Sequence, residues 1–400
     1  MRIAICHNQP TGGARRALHG FCSQLKARHS LDVFTLDTSD DEWLHDADVA
    51  EGVHRDRLRR RKPVRLGLYL NEVLALLDQR DLDEAYASMA RSVDSGGYDV
   101  AMVDVCRFCL VPSVLDHLHT PSVFYAHNGP AWLEGDAWAA PRTGWERARD
   151  IWHGPVTRVR ETSLAARQRS SVQAASLVVT NSHHTADRLK SAYHVESVVC
   201  PPGVPLPVAS DCGRSSFVLS VGEIEPRKGF GFLIDALGRL REPERPPLRV
   251  LANRANATEL ARIRERALRS GVALHVVVAP DADVLAWNYA NAKLFVYAAH
   301  NEPLGLAPLE AMAHGTPVLA VGEGGVAETV ASGVTGYLAE RDADQFARYL
   351  ERLLRDDASL AAMGRAARAR IEQRWDVVRR AEALEELLIT TARTGHAVRT

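Results

Sequence analysis

The chain has 400 residues, more than a single hydrophobic core usually organises, so two domains are expected. Apolar residues at 46% and charged residues at 25% exclude disordered and fibrous classes, and a net charge of −1 gives no footprint for nucleic acid. Six cysteines do not make a disulfide framework, and no apolar run reaches the roughly 18 residues that would span a bilayer. The opening "MRIAIC" lacks the apolar stretch and cleavage site of a signal peptide and reads as a buried strand; a reducing cytoplasm is the expected location.

In chain order, short apolar runs alternate with helical patterns. The predicted strands of the first half are Arg2–Cys6, Leu31–Leu36, Asp99–Val105, Ser122–Tyr125, Leu177–Thr180 and Ser197–Cys200. Those of the second are Phe217–Val221, Leu248–Ala252, Val272–Val278, Lys293–Tyr297, Pro317–Val321 and Gly336–Leu338. Continuous apolar runs of this length suit strands buried on both faces of a parallel sheet. Between the first two, Ala14, Ala17, Leu18, Phe21, Cys22 and Leu25 form one helical stripe. Strand, helix, strand implies βαβ units and a doubly wound α/β sheet. The series restarts near Phe217, after the Pro-rich "CPPGVPLPVASDCGRSS". The expected layout is a Rossmann-like domain over 1–204 joined by the tail 376–400, a linker at 205–215, and a second Rossmann-like domain over 216–375.

The run "HNEPLGLAPLEAMAHGTPVLAVGEGGVAETV" carries the chemistry. A loop after strand Lys293–Tyr297 leads into a helix from about Gly305 to His314. Pro308 is tolerated in its first turn, and Gly315 supplies the left-handed stop. Glu302 then stands in the loop at the helix mouth and Glu310 in the second turn. Amides at Leu304, Gly305 and Leu306, with the partial positive charge of the helix end, suit an anion such as a diphosphate. A matching device, "HNQPTGGARR", follows strand one, where Gly12 and Gly13 permit close backbone approach; a tight turn is the alternative. The spacing is not G-x-G-x-x-G, so a dinucleotide site is not indicated.

Glu302-x7-Glu310, Ala311-Met312-Ala313, Gly315-x-Pro317-Val318, Gly324-Gly325-x-x-Glu328 and Gly333-x-x-Gly336 together resemble the C-terminal signature of glycosyltransferase family 4. The likeness extends to "YAHN" at Tyr125–Asn128, "VVTNS" at Val178–Ser182, "PPGV" at Pro201–Val204 and "SVGEIEPRKG" at Ser220–Gly229. It implies a GT-B fold, two Rossmann-like domains facing a cleft, and a retaining transferase that uses a nucleoside-diphosphate sugar. By the resemblance, Glu310 would accept both ribose hydroxyls and Glu302 would hold a hydroxyl of the donor sugar. Lys228 would neutralise the diphosphate with the amides of Gly305 and Leu306. His127 would contact the donor sugar or the acceptor, and Gly13 would lie near the diphosphate or acceptor. A UDP-sugar is the first expected donor and a GDP-sugar the second; no metal or other cofactor is called for.

The chain departs from the family in places. Glu223 stands where the family often has an arginine, and Arg227 is the candidate compensating cation. "LANRAN" at Leu251–Asn256 replaces an expected glycine-containing turn and makes Arg254 a candidate contact for a base or phosphate, and His300 and Asn301 stand where Pro-Ser is frequent. Glu328 either braces the helix after Gly325 or joins the site. Asp281 and Asp283 read as helix-start chemistry, not as a metal motif. Cys106 and Cys109 have redox or zinc spacing, but no second close pair completes a zinc site, and they read as reduced core or loop cysteines. No carboxylate can be placed on the sugar's far side, so same-face transfer is expected over a covalent intermediate. The acceptor, a glycan, a lipid-linked molecule or a small molecule, should be read from the first domain. There the basic run Arg55–Arg65 is either a solvated face or a contact for an anionic acceptor or membrane. Trp132, Trp138, Trp145 and Trp152 are either sugar-stacking or packing residues. Two other function classes are compatible with the same pocket: a sugar-nucleotide 2-epimerase, and a silent nucleotide-sugar-binding protein.

Overall fold

The computed structural model describes residues 1–39, 44–61, 68–130, 162–208 and 215–395. The four tryptophans between 132 and 152, and residues 209–214 of the expected linker, lie outside these. The chain divides into two compact units. One holds the described residues up to Pro202 and from Arg380 onward; the other runs Gly203–Arg379. No described helix is long and apolar enough to cross a membrane.

The first unit is a seven-stranded parallel sheet. Its strands are β1 (Arg2–Asn8), β2 (Ser30–Leu36), β3 (Gly52–Asp56), β4 (Val100–Cys106), β5 (Ser122–Ala126), β6 (Leu177–Thr180) and β7 (Val198–Val199). The order across the sheet is β3-β2-β1-β4-β5-β6-β7. β4 and β5 are buried at every residue, in keeping with apolar runs that Asp104 interrupts in β4 and Ser122 opens in β5. Its helices are α1 (Gly13–Leu25), α2 (Leu68–Ser95), α3 (Val114–His117), α4 (162–174) and α5 (His183–Tyr193). On one face Tyr86, Met89 and Val93 of α2 meet Val103 and Phe124. On the other, Leu18 and Phe21 of α1 meet Tyr125, Ala381 and Leu384.

Strand β3 escapes the sequence reading because "GVHRD" at the sheet edge is polar and half exposed. It is held by backbone pairing, with Asp32 opposite Gly52 and Leu36 opposite Asp56, and by the His54 ring stacked on Phe34 with centroids 4.5 Å apart. The basic run after it is partly neutralised: Arg61 reaches Asp78 at 3.1 Å and Asp81 at 2.7 Å on α2.

The second unit is a six-stranded parallel sheet: β8 (Val218–Val221), β9 (Leu248–Ala252), β10 (Leu274–Val278), β11 (Leu294–Tyr297), β12 (Val318–Val321) and β13 (Gly336–Ala339). The order is β10-β9-β8-β11-β12-β13. The edge strand β10 starts later than the apolar run suggested, because Gly271 turns the chain at φ +62° and Val272 belongs to that turn. Helices α6 (Phe230–Gly238), α7 (Ala257–Arg269), α8 (Ala282–Asn291), α9 (Leu306–Ala313), α10 (Val326–Thr329), α11 (Ala343–Leu354) and α12 (Asp357–Arg370) cover it, and α13 (Val377–Thr394) closes the chain. Asp281 caps α8, accepting the Val284 amide at 2.7 Å.

In each sheet the chain winds outward one way and then the other. The reversal falls between β1 and β4 in the first unit and between β8 and β11 in the second. Loops leaving the carboxyl ends of such strand pairs are where open sheets bind ligands.

Candidate active site

In the second unit the loops after β8 and β11 are joined through their main chains. The His300 amide donates to the Arg227 carbonyl at 2.8 Å. Gly229, at φ +70°, lies so close to Ala298 that a Cβ would sit 2.1 Å from its carbonyl oxygen. On the other side Gly325 donates to the Glu302 carbonyl at 2.8 Å, and a Cβ on Gly325 would fall 2.0 Å from the Pro303 oxygen. The Gly-Gly pair therefore seats the turn after β12 against the backbone that carries Glu302.

That frame brings three of the expected residues together. Lys228 Nζ donates to Glu302 Oε2 at 2.8 Å, and Arg227 Nη1 lies 3.6 Å from the same oxygen. Burial pushes the Glu302 carboxyl up. Lys228 and Arg227, with hydrogen bonds from Lys228 and Tyr297, outweigh it and hold the carboxyl below its usual range. Arg227 also pairs with Glu225 at 3.1 Å. An ammonium has three donors, so the pair with Glu302 uses one of them.

Glu310 sits on α9 with Oε2 accepting the Tyr289 hydroxyl at 2.6 Å. Tyr289 is buried and stacks on His314 with centroids 5.4 Å apart. α9 starts one residue later than expected: Gly305, at φ +87°, is its cap, and no side chain caps the end. Leu304 is buried in the core, so it can offer only backbone to a ligand, whereas Leu306 is half-buried. Gly315, at φ +75°, ends the helix.

His300 and Asn301 form the tip of the loop, Asn301 in the left-handed region at φ +43°. Both attach to Glu323, a residue that sequence reasoning missed. His300 Nδ1 is 3.7 Å from Glu323 Oε2, and the Asn301 amide bonds the same carboxylate. Burial lowers the His300 pKa, Arg341 adds to the effect, and Glu323 opposes it. Arg341 grips Glu323 with two bonds, at 2.7 and 2.6 Å, and donates to the carbonyls of Ala298 and Ala299 at 2.9 and 3.2 Å. This pair braces the segment that leads to Glu302. Neither residue has a local sequence signal, because charges in two unrelated loops show no period.

The other candidates lie around this centre. Glu223 is half-buried in the loop after β8; burial and then Glu225 raise its carboxyl, against Arg254, Lys228 and Arg227. Arg254 is exposed, and its carbonyl accepts the Ile224 amide at 2.9 Å. Glu328 is half-buried on the short α10.

In the first unit, His127 Nε2 lies 3.0 Å from Asp104 Oδ2, with both side chains buried. Gln9 Nε2 donates to the other Asp104 oxygen, and Asn181 Nδ2 donates to the His127 carbonyl at 2.8 Å. The ends of β1, β4 and β5 thus share one buried polar chain. Asp104, a lone carboxylate inside an apolar run, was a legible signal for it. Gly12 has an extended backbone at φ 163°, and a Cβ there would meet no atom within 4 Å. Gly13 opens α1. Neither a turn nor packing requires glycine at position 12.

Two parallel α/β units with these loops define the GT-B class of fold. The solved HepE from Anabaena in complex with UDP superposes with a TM-score of 0.72, at 19% identity, over 98% of this chain and all of that one. Residues 11–207 match the model described as Glycosyltransferase Family 4, and residues 213–370 match Glycosyl transferases group 1. A D-inositol 3-phosphate glycosyltransferase of Streptomyces avermitilis is 30% identical over 341 residues, spanning 74% of this chain and 73% of the relative. An alpha-1,3/1,6-mannosyltransferase of Neurospora crassa is 30% identical over 205 residues, spanning 44% of each chain. Other curated relatives are matched over 66% and 62% of their length, so the chain spans less than two thirds of several of them. The chain belongs to glycosyltransferase family 4.

Proposed function

We propose that the protein is a retaining glycosyltransferase that moves a sugar from a nucleoside-diphosphate sugar to a hydroxyl of an acceptor. The observation that carries this reading is the Glu302–Lys228–Arg227 cluster at the β8/β11 reversal, beside the mouth of α9 and Glu310. Glu310, fixed by Tyr289, would take the ribose hydroxyls, since a carboxylate has lone pairs beyond the one Tyr289 uses. Glu302 would take a hydroxyl of the donor sugar. Lys228, Arg227 and the amides of Gly305 and Leu306 would stabilise the charge that grows on the leaving diphosphate. The reading needs no metal for that task. In same-face transfer the leaving oxygen takes the acceptor proton and the protein positions the partners. His127, oriented by Asp104, is assigned to the acceptor side of the chemistry, and Gly12 supports close approach of a ligand to backbone.

UDP is the first donor base to test, in keeping with the nucleotide in the HepE structures, and GDP the second. The inositol-phosphate transferases among the relatives make a phosphorylated small polyol the first acceptor to try, before glycans and lipid-linked molecules. The test is product analysis with each nucleotide sugar, chelator present, with and without acceptor. A glycosylated product that retains the donor's anomeric configuration, lost with Glu302→Gln, is expected. Turnover of the nucleotide sugar without acceptor would replace the reading with an epimerase, and tight binding without any turnover with a silent binding protein.

A further inference from the structure

The proposed transfer uses neither Cys106 nor Cys109, yet their loop occupies the β1/β4 reversal of the first sheet. We propose that Cys106 and Cys109 are a redox-active dithiol that a small peroxide closes into an intramolecular disulfide.

The geometry brings the two residues together. β4 ends at Cys106 and the chain doubles back at once, so that the Cys106 amide donates to the Cys109 carbonyl at 3.2 Å. The Cys109 side chain acts on the Cys106 sulfur as a hydrogen-bond donor, lowering its pKa. That sulfur also accepts from Asn8 Nδ2 at 3.4 Å and from the Phe108 amide at 3.3 Å. Donors converging on one sulfur are what a thiolate requires. Burial pushes the Cys106 thiol up, but the hydrogen bonds outweigh it and bring it below its ordinary value. Cys109, which donates to Cys106 and is itself shielded, is driven the other way. One sulfur is thereby prepared as nucleophile and its neighbour as the resolving thiol. The remaining described cysteines differ: burial pushes Cys6 and Cys22 up to about 12 and Cys200 up to about 11. Cys106 is buried at 7% exposure and Cys109 is half-buried, so the proposed oxidant is a small one.

The chemistry balances in two steps. The Cys106 thiolate attacks one peroxide oxygen and the O–O bond breaks. The departing hydroxide takes up a proton, leaving a sulfenic acid and one water. Cys109 then attacks the Cys106 sulfur, the S–O bond breaks, and a second water leaves with the thiol proton. Two thiols lose two electrons and two protons, and one peroxide becomes two waters. Closure withdraws the Cys106 sulfur from Asn8 and Phe108, two residues along β4 from Asp104, which holds His127.

The test is peptide mapping of the full chain after hydrogen peroxide treatment, with free thiols alkylated before digestion. A Cys106–Cys109-linked peptide, two hydrogens lighter and reopened by dithiothreitol, is expected. It should form at least about 10-fold faster than Cys200 is oxidised, reflecting its larger thiolate fraction. In Cys109→Ser the same treatment should leave a sulfenic acid on Cys106 that dimedone traps. Cys106 and Cys109 both remaining alkylatable, or Cys106 passing to sulfinic acid without a linked peptide, would overturn the proposal. Both readings come from the native chain, so a poorly folding variant does not decide the matter.

Discussion

Lys228 Nζ and Glu302 Oε2 lie 2.8 Å apart although 74 residues separate them in the chain. Each stands on a loop leaving one of two adjacent parallel strands, and the loops are tied to each other by backbone before any side chain meets. Charge is thus concentrated where the sheet changes winding direction, on a frame that side-chain replacement leaves in place.

Replacing Lys228 with alanine removes one cation from this cluster and leaves Glu302 with Arg227 and the Tyr297 hydrogen bond. The kcat should fall by about 10²–10³, the usual loss for one charge-stabilising contact. The pH dependence follows from the sign of the shift. The folded Glu302 carboxyl sits below its unfolded value, so its stabilising contribution is present above an ordinary glutamate pKa of about 4.3 and is lost as pH falls through the folded value. Melting temperatures of the native chain and Lys228→Ala between pH 7 and pH 3 should therefore differ most above that range and converge below it. A constant difference at every pH would contradict the depressed carboxyl.

Tyr289→Phe deletes the hydroxyl that Glu310 accepts at 2.6 Å and keeps the ring that stacks on His314. One lost hydrogen bond to a charged group is worth roughly 1.5–3 kcal/mol, so donor affinity should weaken by about 10- to 150-fold. KM for the nucleotide sugar should rise more than kcat falls. Calorimetric titration with the nucleoside diphosphate checks this, and unchanged affinity would detach Glu310 from the ribose.

The Glu323–Arg341 pair acts on the site through the loop it braces. Arg341→Met leaves the carbonyls of Ala298 and Ala299 without their donor and should lower kcat/KM and melting temperature together. A cycle with Glu323→Gln should return a coupling of about 0.5–3 kcal/mol, the range for residues in one network. Arg341→Lys should restore stability in part but not the two-bond grip. Additive single and double effects on kcat would reduce the pair to an ordinary ion pair.

Two glycines give opposite expectations. Gly325→Ala drives a methyl group against the Pro303 carbonyl and should cost about 1–3 kcal/mol, by overpacking, together with donor binding. Gly12→Ala meets nothing within 4 Å and should leave stability within about 0.5 kcal/mol. If a ligand approaches that backbone, Gly12→Ala nonetheless lowers turnover. Equal activity in the native chain and Gly12→Ala would remove position 12 from the site.

Much of this is legible in one dimension. Strands buried on both faces leave unbroken apolar runs, and Glu302, Glu310 and the glycines around them are local enough to place on one loop and one helix. Edge strand β3 was missed because an edge strand needs no continuous apolar run. Tyr289 was missed because its partner Glu310 is on a different helix, and Glu323 and Arg341 because they meet only once β12 and β13 lie side by side. The role of Gly324–Gly325 is likewise a matter of contact distance, which a motif does not display.

Glu223 offers the last lesson. Its loop is held by main-chain bonds, Gly222 to Leu251 at 3.0 Å and Ile224 to Arg254 at 2.9 Å. Neither bond involves a side chain, so the residue at 223 can change the sign of its charge while Lys228 and Glu302 keep their positions. The shape of this loop and the charge carried at position 223 are thus set independently of each other.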